Sequence, residues 1–315
     1  MRNTLAAAFT LALATGAAAQ AKDIHITFIQ SLAGNPFYNT VACGAEEAAK
    51  RLGVTFDVQA PQQYQAAQQL RVLDAVIAAH PDGILFAASD PVALTPTLRQ
   101  AKDAGIKIIS IDGDVSDQSL ALANIQSDNV DGGKQAAQRL AELIGDKGEV
   151  LALMNTPAPT VSAQRLDGFK QELAAHHPNI NFLGVQYSNN QTAKAASIVT
   201  STIAAHPDLA GVFTITTNNT EGAATGIREA GRVGKVKIVG FDTSDPIVED
   251  IRQGIVDADV VQYPYRVGQL GVEMMVDALD GKPVDRQVHT PFVIATPKNI
   301  DTPEVQKFVY KTHCS

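Results

Sequence analysis

Two carboxylates stand where they can do chemistry. Asp112 ends the apolar run "IKIISID" and Asp242 ends "VKIVGFD", so each closes a predicted strand. In open α/β sheets, ligands bind beyond the carboxyl ends of the strands. An ionised carboxylate accepts several hydrogen bonds, so two of them facing one cleft suit a solute rich in vicinal hydroxyls. The competing duty of such an aspartate is structural. At Asp242 the helix cap falls to Asp245, since Pro246 follows it and proline favours the first helical position; Asp242 is left to accept from something else. At Asp112 the competitor is an Asx turn with Gly113. Ser162 reads as the cap of a helix running to Ala175, which puts Arg165 at the third helical position, against the positive end of the dipole. That cation requires a partner, either a polar ligand or an acid such as Asp167. In "GNPFY", Asn35 reads as a cap and Pro36 as the first helical residue. Phe37 and Tyr38 then sit on the first turn, as core or as flat faces for an apolar ligand surface. Gln262, before Tyr263-Pro264, and Asn218, after a strand at Gly211–Ile215, complete a polar ring.

The signs of catalysis are missing. The seven histidines are scattered without metal-ligand spacing, and His176-His177 before Pro178 read as cations at a helix end. The sequence contains no G-x-S-x-G elbow, phosphate-binding loop or dinucleotide fingerprint. Asp112 and Asp242 could be cast as a glycosidase pair, but two lobes closing around one small ring leave no place for a leaving group. The reading is therefore a binding protein, not an enzyme, without metal or cofactor. With 25 Lys+Arg against 33 Asp+Glu, a net charge of −8 and no long basic run, nucleic acid is a poor partner. The absence of Trp and an aromatic share of 5% argue against a platform for long polymers.

The elements that must position these residues alternate. Strands are predicted near 24–29, 54–58, 83–87, 107–111, 150–154, 182–186, 211–215, 236–241 and 258–262, with helices such as Tyr38–Leu52 and Tyr64–Ala79 between most of them. Such alternation argues for parallel sheets covered on both faces. "IAAHPDGILF" (77–86) returns as "IAAHPDLAGVF" (203–213), and each copy is followed by a helix and then a strand ending in Asp. The chain thus reads as two similar α/β lobes in tandem. No flexible linker separates them; Gly132-Gly133, at the mouth of a helix from Lys134 to Ile144, is the nearest candidate. Short crossovers and a cleft between the lobes follow. At the start, Arg2, the apolar run Leu5–Leu13 and small residues around Ala17–Ala21 read as a secretory signal peptide, cut before Gln20 or before Lys22. Cys43 and the penultimate Cys314 suit an exported protein, either as a disulfide tying the tail to the body or as two unrelated thiols.

Taken together, "GNPFY" (34–38), "ILFAASD" (84–90), "NIQSDNVDGGK" (124–134), "SAQRLDGF" (162–169), "VFTITTNN" (212–219), "VGFDTSDP" (239–246) and "VQYPYRVG" (261–268) resemble the ribose-type periplasmic sugar-binding proteins of ABC importers. The likeness covers essentially the whole chain after the signal segment. It implies the type I periplasmic binding protein-like fold, with a hinge of three crossovers near Ser127, Gln262 and Val293. One lobe would comprise 22–127 plus 263–293, and the other 128–262 plus 294–315. It implies a site formed by Asn35, Phe37, Tyr38, Asp112, Arg165, Asp242 and Gln262, with Asn190 and Asn218 at further contact positions. It also implies a monomeric periplasmic receptor that hands a monosaccharide or polyol to an inner-membrane permease; a sensor presenting the sugar to a receptor kinase or chemoreceptor is the alternative. Two departures point away from ribose. Gly113 stands where ribose receptors carry Arg, and Ala87 lies near their Asn. A different pentose, a hexose or a linear polyol fits at least as well. On this reading, Asp242→Ala abolishes binding and leaves the fold intact.

Overall fold

The computed structural model describes residues 23–157 and 161–314, so the predicted signal segment and its cleavage positions lie outside the described residues. The elements run β1 (His25–Ile29), α1 (Pro36–Leu52), β2 (Thr55–Gln59), α2 (Ala66–Ala79), β3 (Gly83–Phe86), α3 (Thr95–Asp103), β4 (Lys107–Ile111), β5 (Ala123–Ser127), α4 (Asn129–Ile144) and β6 (Gly148–Met154). They continue with α5 (Val161–His176), β7 (Ile180–Tyr187), α6 (Thr192–Ala205), β8 (Leu209–Thr214), α7 (Thr217–Glu229), β9 (Lys237–Phe241), α8 (Asp245–Arg252), β10 (Ala258–Val261), α9 (Pro264–Leu279), β11 (Gln287–Thr290), β12 (Val293–Ala295) and α10 (Pro303–Gln306).

These strands form two six-stranded sheets. From one edge, the first reads β2-β1-β3-β4-β5-β11 and the second β7-β6-β8-β9-β10-β12, the same strand order twice. All pairings are parallel except β10 with β12. The inner strands β3 and β10 are buried along their whole length, because helices cover both faces and leave no side for water. The repeated "IAAHPD" ends α2 and α6 and leads into β3 and β8, so the sequence repeat is a structural one. The copies differ locally: His80 closes α2 in the left-handed region at φ 54°, whereas His206 has φ −126°.

The chain passes between the sheets three times, from β5 into α4, from β10 into α9 and from β11 into β12. Val293 opens β12 and pairs with Val261, so it belongs to the second sheet rather than to the segment ending the first. The strands β5, β11 and β12 have no counterpart in the sequence prediction. β5 (ANIQS) and β11 (QVHT) are short and polar in composition, and β12 has three residues, too few for a period to show.

Two helix crossings set where the cleft residues stand. α4 begins at Asn129, not at Lys134, so Gly132-Gly133 lie inside the helix. A Cβ on Gly133 would fall on the carbonyl of Arg165, and one on Gly168 on the carbonyl of Val130. In the other lobe, Gly44 of α1 meets the Tyr265 carbonyl of α9, and Gly268 meets that of Val41. Glycine is what lets each helix pair touch backbone to backbone. The first crossing fixes α5, which carries Arg165; the second fixes α1, which carries Phe37 and Tyr38 on its opening turn. Gly168→Ala should therefore overpack the α4–α5 contact and lower stability by about 1–3 kcal/mol. Urea unfolding reads this as a lower midpoint at unchanged slope, and an unchanged midpoint would show that the crossing is not tight.

Candidate ligand-binding site

The carboxyl ends of the two sheets face a cavity of about 220 Å³. That is smaller than the roughly 300–1,000 Å³ of drug-sized sites, which limits the occupant to a small solute. Asn35, Phe37, Tyr38 and Asp112 line it from the first lobe, and Arg165, Asn190, Asn218, Asp242 and Gln262 from the second.

Asp112 and Asp242 are equivalent in backbone as well as in sequence. Each follows its strand with a positive φ, 66° and 75°. Each donates its N–H to the neighbouring strand, Asp112 to the carbonyl of Ile125 and Asp242 to that of Val260. Aspartate tolerates the left-handed region better than most residues, and this turn aims both carboxyls off the sheet ends. Asn190, at φ 58°, reaches the cavity in the same way. Its carbonyl accepts from the Asn218 side chain at 2.7 Å.

The two aspartates differ in their partners. Asp242 Oδ2 accepts from Arg165 Nη1 at 3.1 Å, while Oδ1 accepts from Gln262 Nε2 at 2.8 Å and from the Tyr310 hydroxyl at 2.5 Å. Asp112 Oδ2 accepts from the Tyr38 hydroxyl at 3.0 Å, and its Oδ1 is buried with no partner among the described residues. Asp242 is therefore not free, as the sequence suggested, but largely satisfied within the protein. The cap next to it is also reassigned: Ser244, not Asp245, precedes α8 and accepts from the Ile247 N–H.

Arg165 is 2% exposed. Its Nε donates to Asn129 at 2.9 Å, Nη1 donates to the Ile215 carbonyl at 3.0 Å as well as to Asp242, and the guanidinium lies 3.8 Å from the centroid of the Phe241 ring. The surface pair with Asp167 does not form. Ser162 is not the cap of α5 either, since the helix already includes Val161. Arg165 is thus beyond the third helical position, and its partner is dictated by burial rather than by the helix end. Asn35 caps α1 as expected, its Oδ1 accepting from the N–H groups of Phe37 and Tyr38. Phe37 and Tyr38 are 7% and 8% exposed and meet edge to face at 5.3 Å, so they are core and cavity wall at once. His177 pairs with Asp146 at 2.7 Å, away from the site.

Among the lining residues that the sequence does not single out are Leu32, Tyr64, Asn155 and Tyr310. Asn155 directly follows β6, and the strand-end rule that found Asp112 would have found it too; its Oδ1 is buried and unpartnered among the described residues. Tyr310 lies in the tail, where no periodicity points to a site. Beside the cavity, a second space of about 470 Å³ shares Tyr38, Tyr64, Asp112 and Val161 with it. Gly113 borders this space, and a Cβ there would meet only the Val161 side chain at 3.4 Å. Among the described residues no cluster of His, Cys, Asp and Glu could hold a metal ion, and no helix is long and apolar enough to cross a membrane.

A family model described as a periplasmic binding protein domain matches residues 26–283. The chain belongs to that family. The ribose import binding protein of Salmonella typhimurium is 29% identical over 281 residues, covering 89% of this chain and 93% of that protein. A solute-binding protein of an ABC transporter from Agrobacterium vitis, solved with α-D-tagatopyranose, is 36% identical, with a TM-score of 0.88 over 91% of this chain and 99% of that one. Another from Agrobacterium radiobacter, in complex with D-arabinose, is 27% identical, with a TM-score of 0.86 over 92% and 99% of the two chains. The two-lobed parallel-sheet architecture is that of these periplasmic binding proteins.

Burial decides the charge state of the site. It pushes the Asp112 carboxyl up to about 7; the Arg165 cation and the Tyr38 hydrogen bond pull it down, and the charge of Asp242 adds to the rise. Burial, then the charges of Asp112 and Asp90, pushes Tyr64 up to about 12. On β10, Asp259 is fully buried with both carboxylate oxygens unpartnered among the described residues. Desolvation, followed by the charge of Asp242, holds it well above the usual carboxylate range. The lining thus offers the Arg165–Asp242 pair and, in Asp112, an acid whose charge is suppressed, while Asp259 lies buried behind it.

Two outcomes follow. Asp242→Ala should not leave the fold intact: it strands a buried guanidinium, which costs about 3–5 kcal/mol, visible in denaturant unfolding of the ligand-free protein. The Asp112 carboxyl is raised in the folded state, so its contribution to stability is present below about pH 4 and is lost as pH rises through about 7. The melting temperature of the wild type relative to Asp112→Asn should therefore fall between pH 4 and pH 7 and level off above. A difference independent of pH would show that Asp112 titrates normally.

Proposed function

We propose that this chain is a periplasmic receptor that captures a neutral monosaccharide or related polyol between its lobes and delivers it to an ABC permease of the inner membrane. The observation that carries the ligand class is the unpartnered Asp112 Oδ1 in the wall of a cavity of about 220 Å³. A buried acceptor without a donor is unfavourable by roughly 1–3 kcal/mol, and a ligand hydroxyl supplies that donor. Asn155 Oδ1 offers a second such position. Three of the five Arg165 donors are engaged by Asn129, Ile215 and Asp242, which leaves the two on Nη2 for ligand oxygens. Phe37, Tyr38 and Tyr310 supply flat apolar surface for the C–H face of a sugar ring. With its charges already balanced, the site favours a neutral polyol over a sugar acid. The open space at Gly113 favours a hexose or linear polyol over ribose.

No bond making is assigned to the site. Asp242 is held by three donors and is a poor nucleophile, so the glycosidase role is set aside. The lobe built on each sheet would rock about the three crossovers and close on the solute, the closed form being the one presented to the permease. The signal segment would direct export, and the receptor would act as a monomer.

The test is a thermal-shift screen of the mature, ligand-stripped protein against pentoses, hexoses, sugar acids and linear polyols. At 1,000 times Kd a ligand adds about 4 kcal/mol, a rise of several degrees. The best neutral ligand should then bind Asp112→Ala about 2–10-fold more weakly, the loss expected of one hydrogen bond to an acceptor whose charge is suppressed. No rise across the panel would discard the sugar assignment, and undiminished binding by the variant would discard Asp112 as its acceptor.

A further inference from the structure

Residues 307–314 follow α10 and run across both lobes. Phe308 stacks on Tyr263, the residue just before α9, with ring centroids 4.4 Å apart. Tyr310 is fixed to the end of β9, its N–H donating to Thr243 Oγ1 at 3.0 Å and its hydroxyl to Asp242 Oδ1 at 2.5 Å. One residue later the tail belongs to the other lobe. The Lys311 N–H donates to Thr40 Oγ1 on α1 at 2.6 Å, the Asn39 side chain donates to the Thr312 carbonyl at 3.3 Å, and Cys314 is bonded to Cys43 of α1 across 271 residues.

Tyr310 is 3% exposed, lines the cavity and meets Phe37 edge to face at 5.7 Å. Its hydroxyl also limits what Asp242 can do. A carboxylate offers about four acceptor positions, and Gln262, Arg165 and Tyr310 fill three of them. The position that remains is on Oδ2, so Asp242 can take one ligand hydroxyl and cannot clasp a vicinal pair.

We propose that the tail is a fourth connection between the lobes, and that the Tyr310 it carries is a specificity-determining residue of the ligand site whose placement depends on the Cys43–Cys314 bond. The specificity half rests on the sugar-receptor reading above; the connection itself does not. A segment outside the sheets frays unless it is tied down, and the bond to α1 holds Tyr310 against Asp242.

The experiment compares the wild type, Tyr310→Phe and the double variant Cys43→Ser/Cys314→Ser. Without ligand, hydrogen exchange of peptides covering 307–314 should be slow in the wild type and faster in the double variant, while the sheet strands stay protected. In calorimetry against pairs of sugars that differ at a single hydroxyl, Tyr310→Phe should change the affinity ratio of at least one pair about 5-fold or more, because it returns an acceptor position to Asp242. The double variant should shift the same ratio in the same direction. Equal exchange of 307–314 in both proteins overturns the dependence on the disulfide. Affinities that all scale by one factor in Tyr310→Phe overturn the specificity role, leaving Tyr310 a packing residue. A wild type that binds no sugar removes the sugar reading and the specificity role with it, and the exchange result then decides the connection alone.

Discussion

A buried guanidinium is the constraint around which the site is assembled. Arg165 has almost no contact with solvent, and an unpaired cation there is unfavourable by several kcal/mol. Five separate parts of the chain answer it. Asn129 comes from the start of α4, the Ile215 carbonyl from the end of β8, and Phe241 and Asp242 from the end of β9. Asp242 then draws in Gln262 from a crossover and Tyr310 from the tail. The half of the cavity formed by the second lobe is thereby ordered before any ligand arrives. Groups already held in place lose little freedom on binding, which is where preorganised sites gain affinity.

The first lobe repeats the same backbone and uses it differently. Asp112 shares the strand-end turn, the positive φ and the N–H bond to the next strand with Asp242. Among the described residues it has no arginine bonded to it and only the Tyr38 hydroxyl on one oxygen. Burial therefore resists its ionisation. A duplicated scaffold has produced one carboxylate that organises protein and one that is left wanting a donor. On the proposed function, a solute between them would meet a charge-balanced surface on one side and an under-satisfied acceptor on the other, and would supply the donor that acceptor lacks.

Local signals were readable along the chain wherever the physics was local. The cap Asn35-Pro36 is a matter of a few residues and appears as expected. Asp112 and Asp242 were found because the repeat placed them alike after two apolar strands. Arg165 was singled out through a helix start that is in fact shifted, since Ser162 lies inside α5; the residue was right and its local reason was not. Ser244 and Asp245 are adjacent capping types, and only the hydrogen bond to Ile247 decides between them. The short strands β5, β11 and β12 carried too little pattern to be seen. Asn155 follows β6 directly and carries the same strand-end signal as the two aspartates. Tyr310 had no local signal, because its position comes from a bond to a cysteine on the first helix.

The alternation of the main strands and helices, the duplicated lobe and the aspartates at the two equivalent strand ends were determined by the sequence alone. Periodicity, capping and repetition are properties of neighbouring residues, and they survive being read along a line. Which of those polar residues are spent on one another, and which keep an acceptor for a ligand, was decided only by the tertiary structure. Asp112 and Asp242 look alike in sequence and in backbone. Their difference lies in donors brought from residues 38, 165, 262 and 310, and hydrogen-bond saturation depends on distance in space, to which sequence separation is no guide.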